Sequence, residues 1–221
     1  MPDIFYDIET RELLDQNAPD ADAAIRALHM SVGAAFCECH GEQIFHNTLE
    51  LADHLLAHAR IIGFNIKHFD NAVLAWSSER LASGDKPPPR APEELKKLLD
   101  AKSFDLLADL EARLGHRVSL AALAEGSLGR QKTATGAQAV VWNRIASSLR
   151  DRLPYALTDV GDQEGAQRVN ELGRWFQERL EQYCLHDVLL VKKIFEYGSA
   201  NKRVAFIDFE GARRVVKVNW R

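Results

Sequence analysis

Asp7 and Glu9 lie two residues apart in Asp3-Ile4-Phe5-Tyr6-Asp7-Ile8-Glu9-Thr10. The segment opens apolar and aromatic and then alternates, which reads as a β-strand. Residues two apart on a strand project from one face, so the two carboxylates stand side by side while Ile8 points into a core. Adjacent carboxylates repel, and a strand that keeps them together calls for a cation.

Two further stretches place acids where they could complete such a site. In Gly63-Phe64-Asn65-Ile66-Lys67-His68-Phe69-Asp70, Asp70 follows a short apolar strand and starts a helix. The helix N-terminus favours a carboxylate there and directs it to the sheet edge, where sites form in α/β proteins. In Tyr183-Cys184-Leu185-His186-Asp187, Tyr183 and Asp187 are four apart and share one helix face. Leu180, Leu190 and Val191 lie on that face, and a buried Asp without a cation is costly.

The elements that must carry these residues follow from periodicity. After the first strand, residues 11–24 read as a loop. Ser31 to Cys39 and Gln43 to Asn47 read as a hairpin about the turn His40-Gly41-Glu42. Thr48 reads as the N-cap of a helix over 49–59. A strand over 61–65 and a helix from Phe69 to Leu81 follow, and 83–92, rich in proline, is a connector. Glu93 to Leu99 makes one or two helical turns, and Lys102 to Leu107 a further strand. Helices are expected over 106–114, over 119–128 with Ser119 as cap, and over 139–149, with a loop over 129–138. Residues 150–168 look irregular, and the longest helix runs from Glu171 to Tyr197. Val204 to Phe209 and Arg213 to Val218 form a terminal hairpin. The sum is an α/β fold with a central mixed β-sheet flanked by helices and a C-terminal β-hairpin.

With 221 residues, the chain can bury one sizeable core. We divide it into residues 1–200 and a hairpin extension of the same domain, 201–221. A formal net charge of −4 argues against bulk coating of nucleic acid and leaves room for a local basic groove. The groove candidates are Arg113, Arg117, Arg130, Lys132, Arg144, Arg150 and Arg152. Three cysteines make no disulfide framework and suit a reducing compartment. No apolar run approaches a membrane span, so the expectation is a soluble cytoplasmic protein without a membrane partner.

Taken in order, Asp7-Ile8-Glu9-Thr10, Asn65 with Phe69-Asp70, and Tyr183-x-x-x-Asp187 resemble the three motifs of the DEDD superfamily of 3′–5′ exonucleases. Within it the chain is similar to the tyrosine (DEDDy) branch, which includes the proofreading exonuclease domains of family-B DNA polymerases. The histidine branch would want His where Gln182 stands. Ser103-Phe104-Asp105, Ser119 to Ala124, Leu128-Gly129 and Lys132 fit the stretch between the second and third motifs. The resemblance spans roughly residues 3–198 and has no counterpart for the terminal hairpin. It implies a ribonuclease H-like fold, two divalent ions, and hydrolysis at the 3′ end of single-stranded nucleic acid, with DNA favoured over RNA. Hard oxygen ligands favour Mg²⁺ or Mn²⁺. Asp7 would bridge the ions, Glu9 would bind one and orient water, and Asp70 and Asp187 would complete the shells. Tyr183 would hydrogen-bond the attacking water, and Thr10, Asn65, Phe69 and Lys132 would touch the substrate. A polymerase, helicase or other replication or repair protein is the expected partner. The alternatives are a catalytically weak nucleic-acid-binding or scaffold module of such a complex, an exoribonuclease, and an oligonucleotide phosphodiesterase.

Other residues read more blandly. Asp105 suits a strand-end cap, and His68 and His186 suit support of the neighbouring acids rather than ligation. Cys37-x-Cys39-His40 with His46 invites a zinc reading, but the one-residue cysteine spacing and the spread across a hairpin argue against it.

Overall fold

Alternation along β1 (Asp3–Thr10) divides the molecule into two cores. Ile4, Tyr6 and Ile8 face one side with Ile61, Leu51 and Val73, while Phe5 faces the other with Val32, Ile62, Leu180 and Tyr183. In the computed structural model, which describes residues 2–15, 17–81, 90–132, 134–151 and 153–221, β1 is the middle strand of five. The others are β2 (Met30–Cys37), β3 (Gly41–Phe45), β4 (Arg60–Gly63) and β5 (Ser103–Asp105), in the order β3-β2-β1-β4-β5. β1 pairs antiparallel with β2 and parallel with β4. β2 pairs antiparallel with β3, and β4 parallel with β5. The carboxyl ends of β1, β4 and β5 therefore open on one edge of a mixed sheet.

Helices α1 (Ala21–Ala27), α2 (Thr48–Leu56), α3 (Asp70–Leu81) and α4 (Pro92–Lys102) contribute to the first core. Helices α5 (Leu106–Leu114), α6 (Leu120–Leu128) and α7 (Gly136–Asp151) contribute to the second. Helix α8 (Leu153–Asp159) packs on α7 and on the long α9 (Gln163–Asn201). With 39 residues, α9 is about 58 Å long at 1.5 Å per residue. From Leu180 onward it buries Leu180, Val188, Leu190, Val191 and Ile194 against the sheet.

The terminal hairpin, β6 (Arg203–Ile207) and β7 (Arg213–Lys217), packs on its own domain. Ser127 donates its hydroxyl to the Ala205 carbonyl at 2.6 Å and accepts from the Ala205 amide at 2.8 Å. The approach of α6 to β6 is so close that a Cβ at Gly126 would sit 2.6 Å from the Ala205 oxygen. Trp220 is buried, stacks on Phe195 at 6.0 Å between ring centroids, and donates its indole N–H to Asp109 at 2.8 Å.

Four sequence expectations need correction. Residues 11–24 are not all loop, because Asp20 caps α1 through the Ala23 amide. Only Ile25 of α1 is buried, so periodicity gave no signal there. Asn47, not Thr48, caps α2, its side chain accepting from the amides of Leu49 and Glu50. Residues 150–168 are largely helical, with the end of α7, all of α8 and the start of α9. Few of their residues are buried, among those described only Pro154 in α8 and Ala166 at the start of α9, so no core-facing apolar stripe marks them. The strand expected over 102–107 shrinks to Ser103–Asp105, because Asp105 caps α5. The expected connector falls mostly on residues 82–89, outside the described residues, and Pro92 opens α4. No helix among the described residues is long and apolar enough to cross a membrane.

Loss of the buried indole should unseat the hairpin. Trp220→Ala is expected to destabilise the protein by about 3–5 kcal/mol in urea unfolding. Phe209→Ala, at a side chain 97% exposed, should stay within about 0.5 kcal/mol of wild type.

Candidate active site

The loop after β4 is shaped to deliver Asp70 to the end of β1. Gly63 is required there, since a Cβ would lie 2.2 Å from Ile66 Cγ2. Asn65 follows with φ of 67°, in the left-handed region that a side chain normally avoids. Asp105 holds this turn by accepting from the amides of Asn65 at 2.8 Å and Lys67 at 3.0 Å, while also capping α5. The start of α3 is fixed from below. Tyr6 donates its hydroxyl to Asn71, whose amide donates to Asp100 at 2.7 Å and Ser103 at 3.1 Å. Asp70 Oδ1 accepts from the Ile8 amide at 3.2 Å, tying it to β1 between Asp7 and Glu9.

Helix α9 brings the third motif to the same place. Leu180, Cys184 and Val188 bury its face, and Cys184 points its thiol at the Asp7 carbonyl, 3.4 Å away. Asp7, Glu9 and Asp187 each present an oxygen within 4.8 Å of the others. Asp70 lines the same cleft of ≈ 530 Å³, as do Asn65, Phe69, Lys132 and Tyr183. Thr10 does not reach it, because its hydroxyl turns back to the Glu12 carbonyl at 2.7 Å.

Lys132 Nζ lies 2.6 Å from Asp187 Oδ2 and 5.3 Å from the centre of the Tyr183 ring. Arg117 also lines the cleft and donates to Asn65 Oδ1 at 2.6 Å. Among the other groove candidates, Arg113 is paired with Asp109, and Arg152 lies outside the described residues. Phe64 was missed by sequence reasoning and forms part of the cleft wall. Its place inside Gly63–Asp70 was the available signal. Asp105 was read correctly as a cap, though its hold on Asn65 requires a contact across 40 positions. His68 lines a separate cavity beside α3 and α4, and His186 borders a small hollow with Trp142, Arg179 and Gln182.

Burial pushes all four acids toward their protonated forms, and repulsion from neighbouring acids of the group adds to it at Asp7 and Glu9. Asp7 is raised well above the usual carboxylate range by burial first, then by Asp70, Asp187 and Glu9. Glu9 is raised by burial and by Asp187, with Lys132 opposing. Asp187 is raised by burial, and Lys132 counters most directly. Asp70 is pushed up to about 7 by burial, although the amide hydrogen bond from Ile8 pulls the other way. Burial and the nearby charge of Asp187 hold the Tyr183 phenol protonated.

This donor set fits divalent cations. The oxygens are hard donors, and Asp187 Oδ1 is buried without any hydrogen-bond partner, so Lys132 satisfies only half of that carboxylate. Among the described residues, this is one of two groups with ligand atoms close enough to share an ion. No family model matches the chain, and no curated protein matches its sequence at a significant level.

The folded protein binds protons at these acids more tightly than the unfolded chain. For Asp70 the window runs from about pH 4, the ordinary carboxylate value, to about 7. Its contribution to the stability of the metal-free protein therefore falls as pH rises through that window. Asp70→Asn should melt on the order of 5 °C above wild type at pH 7.5 in EDTA, with the gap closing at pH 5. Equal melting temperatures at pH 7.5 would show that burying the Asp70 charge carries no cost.

Proposed function

We propose that the protein is a metal-dependent 3′–5′ exonuclease that removes nucleotides from single-stranded ends, DNA foremost, within a ribonuclease H-like fold of the DEDDy type. The observation that carries this reading is the convergence of Asp7, Glu9 and Asp187 within 4.8 Å, at an open cleft that Asp70 and Tyr183 also line. A purely structural cluster has no use for four mutually repelling acids beside a tyrosine.

Asp7, Glu9, Asp70 and Asp187 would hold two Mg²⁺ or Mn²⁺ ions. A pair of such ions supplies an activated water and stabilises the leaving oxygen in phosphodiester hydrolysis. The rest of the work falls to side chains. Tyr183 stays protonated and donates to the attacking water, and Glu9 orients that water. The water oxygen bonds to phosphorus as the bond to the preceding O3′ breaks, leaving a 3′-hydroxyl and a nucleoside 5′-monophosphate. Lys132 and Arg117 offset phosphate charge at the mouth of the cleft. Phe64 and Phe69 offer apolar walls for the terminal base, a contact that contributes about 1–3 kcal/mol per stacked base in single-strand binders.

A second reading has one observation in its favour. The Lys132–Asp187 ion pair already gives the buried acid of α9 a cation, as a nucleic-acid-binding or scaffold module without chemistry would require. Under that reading, single-strand binding persists in EDTA and Mn²⁺ neither cuts nor stabilises.

The test is degradation of a 5′-labelled oligonucleotide with Mn²⁺, Mg²⁺ or EDTA. Stepwise shortening with metal, abolished in Asp7→Asn, is the expected result, and activity retained in Asp7→Asn removes the mechanism. Tyr183→Phe should keep the fold and lose about 10²-fold in rate. Parallel reactions on DNA, RNA and dinucleotides rank deoxyribonuclease, exoribonuclease and oligonucleotide phosphodiesterase activities.

A further inference from the structure

At the opposite end of β2 from the acids, sulfur and imidazole ligands converge. Cys37 pairs with Ile4, whereas Asp7 and Glu9 sit opposite Ala34 and Val32. The three positions from Ile4 to Asp7 span about 10 Å of strand. The two groups also belong to different faces, with Cys37 in the core shared by α2 and Tyr183 in the other.

The turn after β2 contributes His40, the last turn of α2 contributes His54, and His58 follows just beyond its end. Ligand atoms of Cys37, His40, His54 and His58 all lie within 4.8 Å of one another. His40 Nδ1 is 3.2 Å from Cys37 Sγ. Cys39, exposed, lies alongside with its sulfur 2.8 Å from Cys37 Sγ and 3.7 Å from His58 Nε2. Tetrahedral zinc, with Zn–S near 2.3 Å and Zn–N near 2.0–2.1 Å, separates its ligand atoms by roughly 3.3–3.8 Å.

Two independent features point to a ligand. His54 Nε2 is buried and has no hydrogen-bond partner. Packing of its ring on Phe45, 5.2 Å between centroids, accounts for the ring but not for that nitrogen. His58 Nδ1 lies 2.9 Å from the His54 carbonyl, so it carries the proton and leaves the Nε2 lone pair on the side of the Cys39 sulfur and the cluster. That carbonyl bond is the support that orients metal-binding imidazoles generally. Lys102 completes the support by donating to the His58 carbonyl at 2.8 Å.

We propose that Cys37, His40, His54 and His58 form a zinc site that clasps the β2–β3 turn to the end of α2. His46 pairs with Glu181 at 3.1 Å, while His54-x-x-x-His58, four apart on a helix end, held the missing pair. Binding replaces the Cys37 thiol proton with the metal and releases that proton. Thiolate and imidazole donors select zinc over the Mg²⁺ or Mn²⁺ suited to carboxylates. All four protein ligands together leave no open position, so the site is structural and independent of the exonuclease reading.

Protein purified without chelator and under reducing conditions should carry one equivalent of zinc by elemental analysis. Asp7→Asn should keep it. His54→Gln, with its fold verified by circular dichroism, should bind zinc at least about tenfold more weakly. Cobalt substituted for zinc should give a thiolate-to-metal charge-transfer band that survives Asp7→Asn and disappears in Cys37→Ser. Cobalt held by the carboxylates alone has no sulfur ligand and gives no such band. Failure to bind zinc after reduction, a cobalt complex without the thiolate band, or unchanged affinity in His54→Gln overturns the proposal. None of these outcomes bears on the oligonucleotide assay of Asp7→Asn.

Discussion

Four carboxylates crowd one edge of the sheet against their own repulsion, and the surrounding structure is what prevents them from separating. β1 is paired with β2 from Ile4 to Thr10, so neither Asp7 nor Glu9 can move without breaking that ladder. Asp70 is tied to the same strand by the Ile8 amide. Asp187 rides on a helix whose burial of Leu180, Val188, Val191 and Ile194 contributes on the order of 1.5–3 kcal/mol per side chain. Several such anchors outweigh the repulsion, which explains how the fold tolerates a locally unfavourable cluster. The molecule gives up stability at this edge and recovers it in the two cores on either side.

Positioning at the site depends on backbone devices more than on side-chain contacts among the acids. Gly63 lets the chain pass beneath Ile66, and Asn65 takes a strained left-handed turn. Asp105 stabilises that turn with two amide hydrogen bonds and starts α5 with the same carboxylate. One residue thereby sets the wall of the cleft and the register of the next helix. Arg117, which reaches Asn65 from the far side, couples a cation at the cleft mouth to this same turn.

Alternation in β1 and the four-residue step from Tyr183 to Asp187 are local patterns, and they located the principal acids before any fold was known. The mixed sheet and terminal hairpin were legible for the same reason, since their strands carry β-branched runs bounded by turns. What was not legible lacked a local signature. Helix α1 shows a single buried residue, and the start of α9 is polar nearly all round, so neither has an apolar stripe to read. Thr10 fits its motif by position, yet its hydroxyl is used by the Glu12 carbonyl. The Cys and His group was hidden because its members come from a strand, a turn and a helix end, and only the fold brings His54 and His58 beside Cys37 while His46 pairs with Glu181.

On these assignments, the two groups sort hard from soft donors by sheet geometry. Strand parity sends Asp7 and Glu9 to the face shared with α9, whereas Cys37 belongs to the face shared with α2. Carboxylates alone offer no thermodynamic protection against zinc, which outranks manganese at most oxygen and nitrogen sites. Separation is therefore a matter of ligand type and distance rather than of absolute affinity. A thiolate–imidazole group takes zinc more strongly than the carboxylates do, so scarce zinc fills the clasp first and leaves the acids to the abundant hard cations. The same separation makes a chelator ambiguous, because it strips both groups. Only a substitution confined to one face distinguishes loss of chemistry at the acids from loosening of the α2 end.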